Sequence, residues 1–344
     1  MNRGFVLFLS VAFLFLAFPT RSPAPLIYTP GEGWSYEAVG GEGKWHRPRA
    51  KDQFEVAQAA FDKKSYGLAL KAARRVVKVW PLSDYAPQAQ YLVGRCYEAT
   101  GKDEKAFNEY QKVLEKQPKI ANYQEILERQ SVITDRFLAG KWFKLWGYIP
   151  FFSSMERTAN MYEKVVKNGP YSEVAPQAQL KIGTAREKQR NYPLAVKAYE
   201  SAADRYHDRP AIAAEALYRS GLAHKKQAHN AEYDQSAAGQ AIATFTDFRT
   251  LYPDDPRVAQ TDKIIASLRG EQARGNFQIA KFYEKRKRWN GALVYYNEVQ
   301  MQDPDSPYAA EAQQRIFALK KRTQPVVPKE PDSEKPQPDK SEPK

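Results

Sequence analysis

Apolar residues in this chain recur at three- and four-residue intervals, in short blocks that come in pairs. Phe54, Ala57 and Phe61 mark one block; Leu68, Ala69, Ala72, Ala73 and Val76 mark the next. That spacing places each set on one face of a helix. Residues 86–118 show the pairing in its least modified form. Two amphipathic helices are joined there by a tight Gly101-Lys102-Asp103 turn and closed by Pro118, which cannot continue a helix. Small residues stand where the two helices must touch, Gly94 in the first and Ala106 in the second. Tyr97 and Tyr110 follow three or four residues further along.

The unit recurs. Gly94 to Ala106 is an interval of 12 residues, and Ala57 to Ala69, Gly183 to Ala195 and Ala280 to Ala292 repeat it. The interval from the second small residue to the closing proline is again 12 at Ala69–Pro81, Ala106–Pro118 and Ala292–Pro304. The word APQAQ stands at 86–90 and at 175–179, with PYAAEAQ at 307–313. A small-and-aromatic pattern in a helix–turn–helix of roughly 34 residues is the tetratricopeptide signature. It predicts an all-α tetratricopeptide-repeat solenoid of about six helix pairs with a C-terminal capping helix. Repeats 1 and 2 fall over 51–119, repeat 3 over 120–170, and repeats 4 to 6 with the cap over 171–320.

Two stretches break the pattern. The first, GKWFKLWGYIPFFSS at 140–154, holds six aromatics among fifteen residues: Trp142, Phe143, Trp146, Tyr148, Phe151 and Phe152. It separates the two helices of repeat 3. Three readings are open: a satellite core on the solenoid, a docking element for a partner, or a segment in the lipid headgroup layer beside Lys141 and Lys144. The second break is in the fifth pair, where Gly221 to Ala241 is 20 residues, so extra residues enter near 229–237. The sixth pair spans 273–304, and a last helix covers 309–321.

Arg3 precedes a 14-residue apolar run at 5–18, too short for a spanning helix and of the length of a signal-peptide core. Residues 1–24 therefore read as a signal peptide, with an uncleaved membrane anchor as the alternative. Residues 25–50 carry five glycines and three prolines without helical period and read as an extended tether. The tail at 321–344 alternates proline, lysine and acid, a composition that stays disordered. Cys96 is the single cysteine, so no disulfide forms within the chain. Its place in a predicted helix marks it as a packing residue, too late in the sequence to be lipidated after a signal peptide. The net charge of +13 resides in the helical body, since the tail from Thr323 has four lysines against five acids. With export, nucleic acid is excluded; an acidic protein surface, lipid headgroups or a merely solvated face remain.

Catalytic chemistry finds no support. The four histidines are His46, His207, His224 and His229, and the last two, five apart, do not share a helical face as a metal pair would. HExxH, CxxC, GxSxG and a phosphate-cradling glycine loop are all missing from the sequence. No catalytic residue, metal or cofactor is assigned, and the chain reads as a binding protein rather than an enzyme. Stacked pairs line their inner surface with first helices. The repeat register puts Phe54, Gln58 and Phe61 there from the first pair, and Tyr91, Arg95 and Glu98 from the second. Leu180, Thr184 and Glu187 follow from the fourth. Aromatics beside Arg and Gln suit an extended peptide, which needs both donors and apolar pockets; Phe54 and Phe61 are equally readable as core between repeats.

The last two repeats carry a more specific likeness. Residues 241–269, AIATFTDFRTLYPDDPRVAQTDKIIASLR, and 273–316 resemble the BamD family of outer-membrane assembly lipoproteins. The features are a phenylalanine-rich helix ending in Tyr-Pro-Asp, then Ala280-Lys281-Phe282-Tyr283, a basic turn to Arg288-Trp289, Ala292-Leu293-Val294 and Asp303-Pro304-Asp305-Ser306. The resemblance implies a periplasmic scaffold on the inner face of the outer membrane, binding unfolded β-barrel precursors and a BamA-type insertase. It would put Phe54, Phe61, Tyr91 and Arg95 on the substrate side and Arg286, Arg288 and Trp289 on the insertase side. Two departures stand beside it: the family's lipidated cysteine is missing, and six repeats stand where five are usual. A general exported tetratricopeptide adaptor for another envelope complex is the alternative.

Overall fold

The computed structural model describes residues 26–29, 33–36, 45–145, 149–230 and 235–323. The signal-peptide expectation for 1–24, the tail beyond 323, and Trp146 and Tyr148 of the aromatic stretch lie outside them. The fold is an all-α tetratricopeptide-repeat solenoid, with helices paired at the intervals read from the sequence. The chain divides into two compact units, residues 1–178 and 179–344.

In the first unit, α1 (Ala50–Asp62) pairs with α2 (Tyr66–Val79), and α3 (Tyr85–Ala99) with α4 (Asp103–Lys116). α5 (Tyr123–Leu138) pairs with α6 (Met155–Asn168). Within the stretch expected as a tether, β1 (Leu26–Thr29) and β2 (Gly33–Tyr36) form an antiparallel hairpin. Residues 45–47 are tied to α1. The buried Gln53 amide donates to the Trp45 carbonyl at 3.1 Å and accepts from the Arg47 N–H at 2.8 Å.

The small-residue positions have a direct cause. A methyl group on Gly94 would overlap the ring of Tyr110, which packs directly against the first helix of its own pair. Only glycine lets a buried tyrosine approach the backbone so closely. The turns of the first two pairs each use one left-handed residue: Lys64 (φ 59) after α1 and Gly101 (φ 69) after α3. The N–H of the next residue then reaches back to the helix, Ser65 to Ala60 at 2.9 Å and Lys102 to Tyr97 at 2.9 Å. This closes the first helix by satisfying its last carbonyls.

The aromatic stretch forms β3 (Phe143–Leu145) and β4 (Ile149–Phe152), a two-stranded antiparallel hairpin with an irregularity between Phe143 and Lys144. Phe143 is fully buried and stacks on Phe137 of α5 at 4.2 Å between centroids. The Arg157 guanidinium of α6 covers it at 4.2 Å, and Lys141 bonds the buried carboxylate of Asp103 at 2.5 Å. Trp142, next to Phe143, is 55 % exposed. At its base the stretch therefore packs as a satellite core. Ser154 then caps α6, accepting from the Arg157 N–H at 3.2 Å.

The second unit holds the body of α7 (Ala175–Lys188), then α8 (Tyr192–Arg205), α9 (Pro210–Asn230) and α10 (Gln235–Leu251). α11 (Val258–Lys285), α12 (Trp289–Gln302) and the capping α13 (Pro307–Thr323) complete it. The glycine-on-aromatic device recurs as Gly183 on Tyr199 and Gly221 on Phe245. Left-handed turn residues recur as Arg190 (φ 58) and Lys287 (φ 57). Two expectations change. The extra residues of the fifth pair lengthen its helices, to 21 residues in α9 and 17 in α10, with 231–234 outside the described residues. The first helix of the sixth pair begins at Val258 rather than at 273, because no proline interrupts the 28 residues of α11. Its N-terminal half packs on α10 through Ile264, Ile265 and Leu268, and its C-terminal half meets α12 and α13 through Ala273, Phe277 and Ala280.

His224 of α9 is buried, with Nδ1 unpartnered and Nε2 at 3.9 Å from Glu200. Burial holds its pKa below the ordinary 6.5 despite that carboxylate. The folded state keeps the imidazole neutral, whereas the unfolded chain takes up a proton below about pH 6.5. The stability of the second unit is therefore full above that pH and falls as the pH drops below it. His224→Gln is expected to flatten this slope in urea titrations at about pH 7.5 and about pH 5; an unchanged slope would place the acid sensitivity elsewhere.

Candidate peptide-binding face

The first helices of the first unit, α1, α3 and α5, lie side by side, and a continuous polar-aromatic cluster runs across them. The Tyr91 hydroxyl of α3 donates to Glu125 of α5 at 2.6 Å and accepts from Arg95 at 3.1 Å and Arg129 at 3.0 Å. Arg129 also holds Glu125 at 2.9 Å and reaches Glu98 at 3.3 Å. The Tyr110 hydroxyl donates to Glu98 at 2.7 Å, and Arg136 bridges Glu98 at 3.5 Å and Asp103 at 3.0 Å. The Arg95 guanidinium lies over Phe61 of α1 at 5.3 Å and over Tyr91 at 5.7 Å. Such pairs order an arginine without enclosing it.

Burial works to raise the Glu125 pKa, but hydrogen bonds from Tyr91 and Arg129 outweigh it and hold the carboxyl below its usual range. Tyr110 is pushed up, first by burial and then by Glu98, so its hydroxyl remains a donor at any neutral pH. The face sets Arg95, Arg129 and Arg136 against Glu98, Glu125 and Asp103. Arginine side-chain exposures of 27–41 % leave their outer edges open to a ligand.

Of the residues predicted to line a groove, Phe61, Tyr91, Arg95 and Glu98 meet in this cluster. Phe54 sits further along α1 and packs at 6.0 Å on Tyr85, while Gln58 between them is exposed and bonds Asp62 at 3.0 Å. Glu125, Arg129 and Arg136 are absent from the prediction. A step of roughly 34 residues carries Phe61 to Arg95 and then to Arg129, and Tyr91 to Glu125, so the repeat period itself points to them. In the second unit, Thr184 accepts from Arg219 at 3.0 Å and Glu187 lies 3.5 Å from Lys226. Leu180 is core there rather than face, packed with Val196 and Tyr199.

The other predicted residues lie apart. Arg286 sits over Phe282 at 4.2 Å, Arg288 is exposed, and Trp289 is half-buried with Arg322 at 5.5 Å over its ring. Two open grooves are also present. One of about 530 Å³, on the second-helix side of the first unit, mixes Arg74, Lys105, Lys112 and Lys164 with Glu109 and Glu115. The other, about 570 Å³ in the second unit, is lined by Ile242, Arg269, Gln272, Met301 and Pro304. Among the described residues no group of His, Cys, Asp and Glu could hold a metal ion, and no helix is long and apolar enough to cross a membrane. Burial pushes the Cys96 thiol up to about 11, which leaves it protonated and unreactive inside α3.

Residues 153–312 match the family model described as YfiO, outer membrane lipoprotein, and residues 54–119 match a tetratricopeptide-repeat model. The chain carries tetratricopeptide repeats, and over residues 153–312 it is similar to this BamD-type lipoprotein family. The YfiO match starts well upstream of residue 241, where the sequence likeness is most specific. The segment between the two matches, 120–152, contains α5 and the β3–β4 hairpin. No curated protein matches the chain. Among solved structures, the C-terminal part of a tetratricopeptide-repeat protein from Cytophaga hutchinsonii is 14 % identical. It covers 77 % of this chain and 87 % of its own, with a TM-score of 0.35. A tetratricopeptide-repeat protein from Parabacteroides merdae is 14 % identical over 78 % of this chain and 98 % of its own, with a TM-score of 0.33. MamA from Desulfovibrio magneticus is 15 % identical over 61 % and 98 %, with a TM-score of 0.32.

Proposed function

We propose that this protein is a non-catalytic scaffold for outer-membrane β-barrel assembly, working in the periplasm at the inner face of the outer membrane. The observation that carries the reading is the match of 153–312 to an outer membrane lipoprotein family. In this role the first-helix face of the first unit holds extended segments of unfolded precursor, and a BamA-type insertase is the protein partner. The face suits such a ligand for a physical reason. Arg95 and Arg129 are already immobilised on Phe61, Tyr91 and Glu125, so binding loses little further side-chain entropy. Their open edges, with the exposed Gln58 amide, meet peptide carbonyls and carboxylates, and the rings of Phe54 and Phe61 meet its side chains.

Isolation of the full chain from detergent-solubilised envelopes tests the assignment. A BamA-type barrel protein is expected among the co-isolated partners. Recovery of other envelope complexes without it would overturn the assignment in favour of a general exported adaptor.

A further inference from the structure

The C-terminal half of α11 and α12 form a hairpin whose turn carries four consecutive cations, residues 285–288, all exposed. α13 runs alongside α11, tied to it by Arg315 with Glu284 at 3.3 Å and Lys281 with Glu311 at 3.9 Å. Its last turn therefore arrives at the same tip and adds Lys320, Lys321 and Arg322, with Arg322 over the Trp289 ring at 5.5 Å. Among the described residues, Glu284 beside the tip is already engaged by Tyr296 at 2.7 Å and by Arg315.

Aromatic rings lie among these charges. Phe282 is 51 % exposed under Arg286, and Tyr283 stacks on Tyr295 at 5.5 Å behind it. The opposite end of the same hairpin is mixed in charge, with Asp303 and Asp305 in the loop between α12 and α13 and Arg269 of α11 nearby. A hairpin whose cations are concentrated at one tip turns that tip toward a negatively charged surface. The tip is a projecting turn, and neither groove described above includes any of its residues. A planar array of anionic headgroups needs cations and interfacial aromatics but no shaped cavity.

We propose that the tip formed by residues 282–289 and 320–322 docks on the anionic headgroups of a lipid bilayer, with Phe282 at the polar–apolar boundary. This goes beyond the scaffold role and does not depend on it. Charge complementarity selects the lipid surface over a protein partner, because seven exposed cations on a projecting turn gain from a diffuse anionic field without needing acceptors at fixed positions.

The full-length chain is compared with K285Q/R286Q/K287Q/R288Q and with a control of equal charge loss in the first unit, K63Q/K64Q/K116Q/K119Q. Each is co-sedimented with vesicles of phosphatidylcholine alone and of phosphatidylcholine mixed with phosphatidylglycerol. The ratio of the two affinities is read, so that any binding common to both vesicle types cancels. Each cation at a bilayer surface multiplies partitioning by about fivefold, so the tip variant, which loses four, should lose preference by several hundredfold, about 600-fold if the four act independently. The control should keep most of its preference, and all three should melt alike. An intact preference in the tip variant, an equal loss in the control, or no preference in the parent chain would overturn the proposal. So would loss of a co-isolated acidic protein with lipid preference unchanged, which would make the tip a protein-docking site.

Discussion

Truncating Phe143 to alanine is expected to destabilise the first unit by about 3–4 kcal/mol, the range for removing a fully buried phenylalanine. Two contacts are lost together: the stack on Phe137 and the cover of the Arg157 guanidinium. The hole left between α5 and α6 has rigid helical walls and cannot close by local collapse. Trp142→Ala is the matched comparison, since Trp142 is mostly exposed and should change stability by only about 0.5 kcal/mol. Hydrogen exchange of the α5 and α6 amides separates this unit from the other and reads both variants. Equal effects would contradict the satellite-core packing of Phe143.

Arg129→Glu should have the second largest effect, about 2–3 kcal/mol, together with loss of the binding face. The substitution places a third carboxylate beside Glu98 and Glu125 and strands the Tyr91 hydroxyl between them. Breaking a buried pair costs about 3–5 kcal/mol. The figure here is reduced because the Arg129 side chain is 27 % exposed and partly screened. Arg129→Lys is the informative companion. It restores the charge but not the fork that spans Tyr91, Glu125 and Glu98, so stability should recover in part while peptide affinity stays low. If the lysine variant binds peptide as well as the parent chain, the fixed geometry of the face is not what recognises the ligand.

The helix pairs were legible because their determinant is local: a small residue at a fixed interval from an aromatic, as in Gly94 with Tyr110. The left-handed turn residues were not, since Lys64, Arg190 and Lys287 carry none of the composition signal that Gly101 does. The length of α11 was obscured by the repeat ruler itself, which placed a helix start at 273 although the chain from Val258 has no breaker there. Half of the candidate face was legible. Residues on α1 and α3 follow from the register, whereas Glu125 and Arg129 lie on a helix separated from its partner by the aromatic stretch, so its own pair lacks the 12-residue interval and only a further 34-residue step from α3 reaches them. Leu180 failed for a different reason. Helical register gives a direction from the axis, and whether that direction meets solvent depends on the neighbouring pair.

A photoreactive residue placed at Gln58 tests the substrate role most directly. Gln58 is exposed on α1 between Phe54 and Phe61, and a probe at Val294 of α12, also exposed, serves as reference. In living cells the probe at position 58 is predicted to crosslink unfolded outer-membrane β-barrel precursors, and the probe at 294 to leave them unlabelled. Crosslinks from position 58 only to folded envelope proteins, or equal precursor yields at the two positions, would contradict it.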